Sequence, residues 1–276
     1  MNDKKTSRLL SSPYLVWAVI FILVPLTMIL YYGLTDAEGA FTLANVAAIA
    51  EPVHAGALWL AIILSVISTV ICFLLAYPLA MILAKNVKSS QGIITTLFIL
   101  PMWMNFLLRT LAWMTLLENK GVINGILEFF HLPGINVINT PAAIVLGMVY
   151  NFLPFMILPI YNALSSIDGS VIEAARDLGA NTPQTFFKVT LPLSMPGIVS
   201  GVTMVFIPAL TTFAISTMLG GSKILLIGNV IEQEFTLTYN WNLGAGLSIV
   251  LMLFIVVNMV VSALAEGNKE YGEGKK

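Results

Sequence analysis

Long apolar runs alternate with short polar connections along this chain. Six runs stand out, at residues 14–34, 57–84, 93–117, 141–164, 196–219 and 243–265. Each has at least 21 residues, and about 20 residues of helix cover a bilayer's hydrocarbon core. A backbone in lipid must satisfy its own hydrogen bonds, so all six are predicted to be helices. The first run exceeds the apolar core of a cleaved export signal, about 7–15 residues, and reads as a retained span. The predicted fold is therefore an all-α membrane protein with six transmembrane helices in one domain, residues 14–265. A polar N-terminal stretch (1–13) and tail (266–276) flank it.

Composition supports that reading. The 276 residues are 58% hydrophobic and 10% charged, with mean hydropathy +0.92 and net charge −1. Soluble domains carry about 25% charged residues. Membrane lipid is the expected surround, and no nucleic-acid partner is expected. Cys72 is the sole cysteine, so no intrachain disulfide can form. His54 and His131 fall in different loops without metal-ligand spacing.

Lys and Arg set the orientation. With the N-terminus in the cytoplasm, the inner side holds Lys4, Lys5, Arg8, Lys85, Lys88, Arg176, Lys188, Lys269, Lys275 and Lys276, and the outer side only Lys120 and Lys223. This positive-inside bias predicts both termini in the cytoplasm. The outer loops then hold Asp36, Glu38, Glu51, Glu118, Glu128, Glu232 and Glu234. Two readings stand for these acids: solvated groups tolerated outside, or attraction of a cation or basic partner. Two outer pieces, GVINGILEFFHL and ILLIGNVIEQEF, are too short to span and are predicted to be small surface helices. Glu232 and Glu234 follow the second as candidate entrance residues.

The largest inner loop, 165–195, has its own grammar. Ser170 and Glu173 fit a capping box. Val171, Ala174, Ala175 and Leu178 then recur on one helical face. Gly179 is placed as the left-handed stop. Thr182 and Pro183 are placed as N-cap and first residue of a second helix that returns to the membrane. The first helix offers alanines and acids, which suit a protein groove better than a lipid surface.

The set Glu173, Ala174, Ala175, Gly179, Val189, Leu191 and Pro192 resembles the Glu-Ala-Ala loop of ABC importer permease subunits. The stretches PMWMNFLLRTLAWMTLLENKGVIN and GGSKILLIGNVI extend the resemblance to permeases of spermidine/putrescine importers. It implies a type I ABC importer permease fold in a bacterial cytoplasmic (inner) membrane, multi-pass. It implies alternating access, with Glu173, Ala174, Ala175, Gly179, Leu191 and Pro192 as the ATPase-coupling residues. It also implies the partners: a second permease subunit of a different chain, two ATPase subunits and an extracytoplasmic polyamine-binding protein. No cofactor is expected in this chain; ATP and Mg belong to the partner ATPase. The chain itself has no Gly-x4-Gly-Lys-Ser/Thr loop, and GGSK at Gly220 lacks the spacing. It is expected not to be an enzyme.

Arg109 is the one charge well inside a predicted span. It either snorkels outward or faces a watery cavity. Trp103, Trp113, Tyr150 and Phe213 offer ring faces to a cation, and Asn105 and Asn151 offer acceptors. These are the pathway candidates, with packing as the alternative for each. Pro101, Pro154 and Pro208 are expected to bend helices near the pathway. No span carries a central Asp or Glu, which weighs against an ion-coupled secondary transporter. An ABC importer for another small solute remains the alternative within the family.

Overall fold

This computed structural model of the chain describes residues 13–86 and 102–273. Long helices are α1 (Pro13–Gly33), α2 (Pro52–Asn86), α5 (Pro141–Ser165) and α11 (Trp241–Glu273). Between them lie α3 (Phe106–Leu117), α4 (Val122–Phe129), α6 (Gly169–Asp177), α7 (Thr182–Leu193), α8 (Met195–Thr211), α9 (Ala214–Gly220) and α10 (Ile227–Thr236). The two short apolar pieces GVINGILEFFHL and ILLIGNVIEQEF do form helices, α4 and α10.

Among the described residues, four helices are long and apolar enough to cross a membrane, and α7 with α8 makes a fifth candidate bent by 63°. Two of the six expected runs depart from a single helix. Part of the third run, residues 93–101, lies outside the described residues, as does Pro101. Its described part is interrupted at Met104 and Asn105, where the Asn105 side chain accepts from Leu107 and Leu108 N–H and starts α3 afresh. An asparagine competes with the helix backbone in this way and favours caps over interiors. The fifth run breaks at Thr212 and Phe213, between α8 and α9. Pro154 and Pro208 sit inside α5 and α8, which stay helical through them. In α1 a π-type turn, closed by Val24 N–H on the Val19 carbonyl, precedes Pro25. A wider turn there suits a proline that cannot donate to the helix ladder.

The chain forms two compact units. The first takes in residues up to Gly56 together with Val230–Ile255, and the second Ala57–Asn229 with residues from Val256 onward. In the first, the last carbonyls of α1 lack intrahelical donors. Asn45 and Asn242 supply them, Asn45 Nδ2 donating to the Gly33 carbonyl at 3.4 Å and Asn242 Nδ2 to the Tyr32 carbonyl at 3.1 Å, and both reach the Thr35 carbonyl just beyond the helix, at 2.8 and 2.7 Å. Gly33 lets α1 approach α11: a Cβ there would meet Ile249 Cδ1 at 2.5 Å.

In the second unit α5 is the central element. Ile144, Met148, Phe152, Met156, Ile160 and Leu164 recur every fourth residue and are all buried. Such a row is a ridge that packs into a neighbour's groove. The neighbour is α8, which meets α5 with Gly197 and Gly201. A Cβ on Gly197 would come within 2.6 Å of the Pro159 carbonyl, and one on Gly201 within 2.8 Å of Met156 Sδ. This is the small-xxx-small approach of helices in lipid, where close backbone packing replaces hydrophobic drive.

Candidate functional site

The segment from α5 to α8 is built by caps. Asp168 begins α6, its carboxylate accepting from Ser170 N–H at 3.0 Å. That backbone bond, and the Ser170 side chain after it, hold the Asp168 pKa below the ordinary carboxylate value. The expected Ser170–Glu173 capping box is therefore not the one used. Glu173 is exposed and takes no part in the cap. At the other end Gly179 has φ +85°, with its N–H on the Arg176 carbonyl and Ala180 N–H on the Ala175 carbonyl. This is a complete Schellman turn. The next helix starts one residue earlier than expected. Asn181, not Thr182, is the N-cap, in a reciprocal box with Gln184. Asn outranks Thr as a cap, and Gln lies three residues on.

The expected apolar face of α6 divides. Of its four residues only Ala175 is half-buried, as is Ile172 beside it, whereas Val171, Ala174 and Leu178 are exposed, Leu178 to 89%. They leave an uncovered apolar ridge on a helix fixed at both ends. Behind it lies a cavity of about 260 Å³ lined by residues including Lys85, Ile172, Arg176, Thr185 and Phe186. Leu191 is half-buried and Pro192 exposed at the end of α7. From α2, Tyr77 reaches this segment. Its ring meets Phe186 edge-on at 5.7 Å, and its hydroxyl lies 2.9 Å from Ser194 Oγ, where α7 turns into α8.

A second cluster joins α3 and α5. Arg109 is buried, so it does not snorkel outward. Thr110 and Asn151 are buried with it, and Asn151 Nδ2 donates to the Gly147 carbonyl at 2.9 Å. Among the described residues, Asn151 Oδ1 is buried without a hydrogen-bond partner. Asn105 offers no acceptor beyond its cap, since its oxygen is taken by two backbone N–H groups. Trp113 and Tyr150 meet edge to face at 5.3 Å and line an apolar groove of about 630 Å³. Trp103 is exposed ahead of α3, and Phe213 is exposed at the α8–α9 break. Of the pathway candidates, Trp113 meets Tyr150 and Asn151 meets Thr110 where α3 faces α5, Arg109 is buried on α3, and the others take outlying positions.

Asn229 was not among those candidates. It is 2% exposed, and its side chain meets four groups around the α8–α9 break. Its oxygen accepts from Leu226 N–H and Ser216 Oγ, and its amide nitrogen approaches the Phe213 carbonyl and Thr217 Oγ1 at 3.1 and 2.8 Å. It therefore satisfies backbone that the interrupted helix leaves open. The signal was legible: one asparagine within ILLIGNVI. In the first unit, Glu232 and Glu234 are half-buried and accept from Thr236 and Thr238, four residues on.

Residues 76–267 match the family model described as binding-protein-dependent transport system inner membrane component. The spermidine/putrescine transport system permease protein PotB of Haemophilus influenzae is 38% identical over 253 residues, 89% of this chain and 88% of that protein. Its namesake in Escherichia coli is 36% identical over 253 residues, 89% and 92% of the two chains. Among solved structures, a chain of a bacterial alginate ABC transporter, crystallised with its alginate pentasaccharide-bound periplasmic protein, superposes with TM-score 0.77 at 17% identity, covering 95% and 94% of the two chains. A chain of the MetNI methionine ABC transporter, in inward-facing form, gives TM-score 0.56 at 21% identity over 78% and 97%. The two structures share the fold of the present chain, and the sequence matches carry the assignment further. Taken with its apolar helices, they show that the chain belongs to the binding-protein-dependent transport system inner membrane components, as a multi-pass protein of the inner membrane.

Proposed function

We propose that this chain is the membrane-spanning permease subunit of an ATP-driven importer of polyamines, spermidine and putrescine among them. It crosses the membrane six times with both termini in the cytoplasm. It pairs with a second permease chain, sits on two ATPase subunits that hold ATP and Mg, and receives cargo from an extracytoplasmic binding protein. The observation that carries the reading is the uncovered ridge of Val171, Ala174 and Leu178 on a helix capped at both ends. An apolar ridge of this kind is stable only against another protein surface or lipid. Glu173 and Asp177 beside it favour a protein groove with basic residues.

In this reading ATP binding closes the ATPase dimer, α6 moves with it, and the helices behind switch the pathway from inward-open to outward-open. The Trp113–Tyr150 pair, which lines the apolar groove, offers ring faces to a cationic cargo. The relatives named for spermidine and putrescine support the polyamine class. The test is uptake by the reconstituted complex of labelled spermidine and putrescine, with sulfate and thiamine as controls. ATP-dependent uptake of the polyamines alone is expected. Uptake that persists without the ATPase subunits would instead mean an ion-coupled carrier.

A further inference from the structure

We propose that Tyr77 is a positioning residue: through its hydrogen bond to Ser194 it sets the angle between α7 and α8 and ties movement of the α6–α7 segment to α2. The inference rests on the reading of that segment as the ATPase-docking loop.

The bend is where α7 and α8 meet at 63°. Ser194 stands at the junction and is fully buried. Its hydroxyl has one proton, and that proton goes to the Leu191 carbonyl at 3.0 Å. Both bonds are made at once only with Tyr77 O–H donating to Ser194 Oγ, 2.9 Å away. Pro192 and Pro196 flank the junction. Neither has an N–H, so the helix ladder across the bend is thinned and cannot by itself fix the angle. A side chain from another helix supplies the constraint.

Tyr77 holds α7 at two points. Its hydroxyl takes the bend, and its ring takes Phe186 edge-on at 5.7 Å and an interplanar angle of 85°. Phe186 opens a π-type turn, Phe186–Thr190, an interruption that often marks functional sites. Phe186 also lines the cavity behind α6. Phe73, one turn earlier on α2, backs the Tyr77 ring at 5.6 Å. A push on the exposed ridge of α6 therefore has a packed route through Phe186 and Ser194 to one side chain of α2. Tyr77 itself is 5% exposed and touches neither the ridge nor the Trp113–Tyr150 groove.

The test uses the whole complex in proteoliposomes, with ATPase subunits and binding protein. It measures spermidine delivered per ATP hydrolysed, normalised to assembled complex. Tyr77→Phe keeps the ring and removes the hydroxyl; Ser194→Ala removes the other half of the bond. Each variant is expected to keep ATP hydrolysis within about twofold of wild type while transport per ATP falls about three- to tenfold, the scale of one hydrogen bond. The double variant is expected to be no worse than either single one, since both remove the same bond. A merely structural role would lower the amount of complex and leave the ratio alone. An unchanged ratio in both single variants overturns the proposal, as do losses that multiply in the double variant. Leu178→Asp, run alongside, separates the two levels. If it strips the ATPase while Tyr77→Phe stays fully coupled, only the role of Tyr77 falls. If Leu178→Asp remains bound and coupled, the docking reading falls and takes this proposal with it.

Discussion

The two interruptions on either side of α8 are held in opposite ways. At Thr212–Phe213 a buried asparagine, Asn229, gathers Leu226 N–H, the Phe213 carbonyl and two hydroxyls onto one side chain. At Ser194 a single hydroxyl bond and an edge-on ring do the holding. A side chain engaged on both its donor and acceptor sides has no cheap alternative geometry, because any movement leaves buried polar groups unpaired. A bend held by one hydroxyl has rotamer freedom to spare. The first interruption is built as a fixed knot, the second as a joint, and the joint is the one in the segment proposed to dock the ATPase.

The largest expected effect breaks the knot. Asn229→Leu keeps volume but strands several buried groups, each worth about 1–3 kcal/mol. Loss of stability on the order of 3 kcal/mol is expected, seen as a marked fall in melting temperature of the detergent-solubilised protein. A melting temperature near wild type would remove the contrast between knot and joint.

Next comes the packing that both interruptions share. Gly197→Val drives a side chain into Ala163 and the Pro159 carbonyl, and overpacking of this kind costs about 1–3 kcal/mol. The same assay checks it, and Gly197→Ala is expected to show a smaller loss.

On the joint side, Gly179→Val meets nothing within 4 Å but is forced to φ +85°. The left-handed backbone costs a substituted residue about 1–2 kcal/mol. The loss should stay in the turn: normal insertion and melting, weakened ATPase association, and faster amide exchange in α6. Gly179→Asn, which tolerates that conformation better, is expected to restore most of the association.

The smallest effect concerns Asp168. Its folded pKa is lowered by the Ser170 N–H, so its contribution to α6 is present above the ordinary carboxylate value. It is lost as pH falls below that value toward the lowered one. Amide exchange in α6 should therefore quicken with acid in the wild type. In Asp168→Asn, a neutral cap, that pH dependence should flatten.

Much of the loop was legible before any coordinates. Gly179 as the left-handed stop, a helix before it and another after Pro183 all follow from local chemistry. The cap identities were not. Ser170, Asp168, Thr182 and Asn181 are all competent N-caps, and a choice between neighbours turns on backbone angles that propensity does not resolve. For the Arg109 cluster, residue types marked the place. Hydrogen bonding then decided the roles, taking the Asn105 oxygen for a cap and leaving Asn151 Oδ1 buried without a partner among the described residues.

By itself the sequence determined the apolar runs, the family motif of the loop and the left-handed stop at Gly179. Each depends on residues close together in the chain, where periodicity and sterics act locally. Only the tertiary structure decided which runs are interrupted, which face of α6 stays open, and that Tyr77 answers to Ser194 and Asn229 to Phe213. Tyr77 and Ser194 are 117 residues apart. Asn229 completes its bonds only where the chain folds back onto the break. Those pairings follow from packing, which no local pattern encodes.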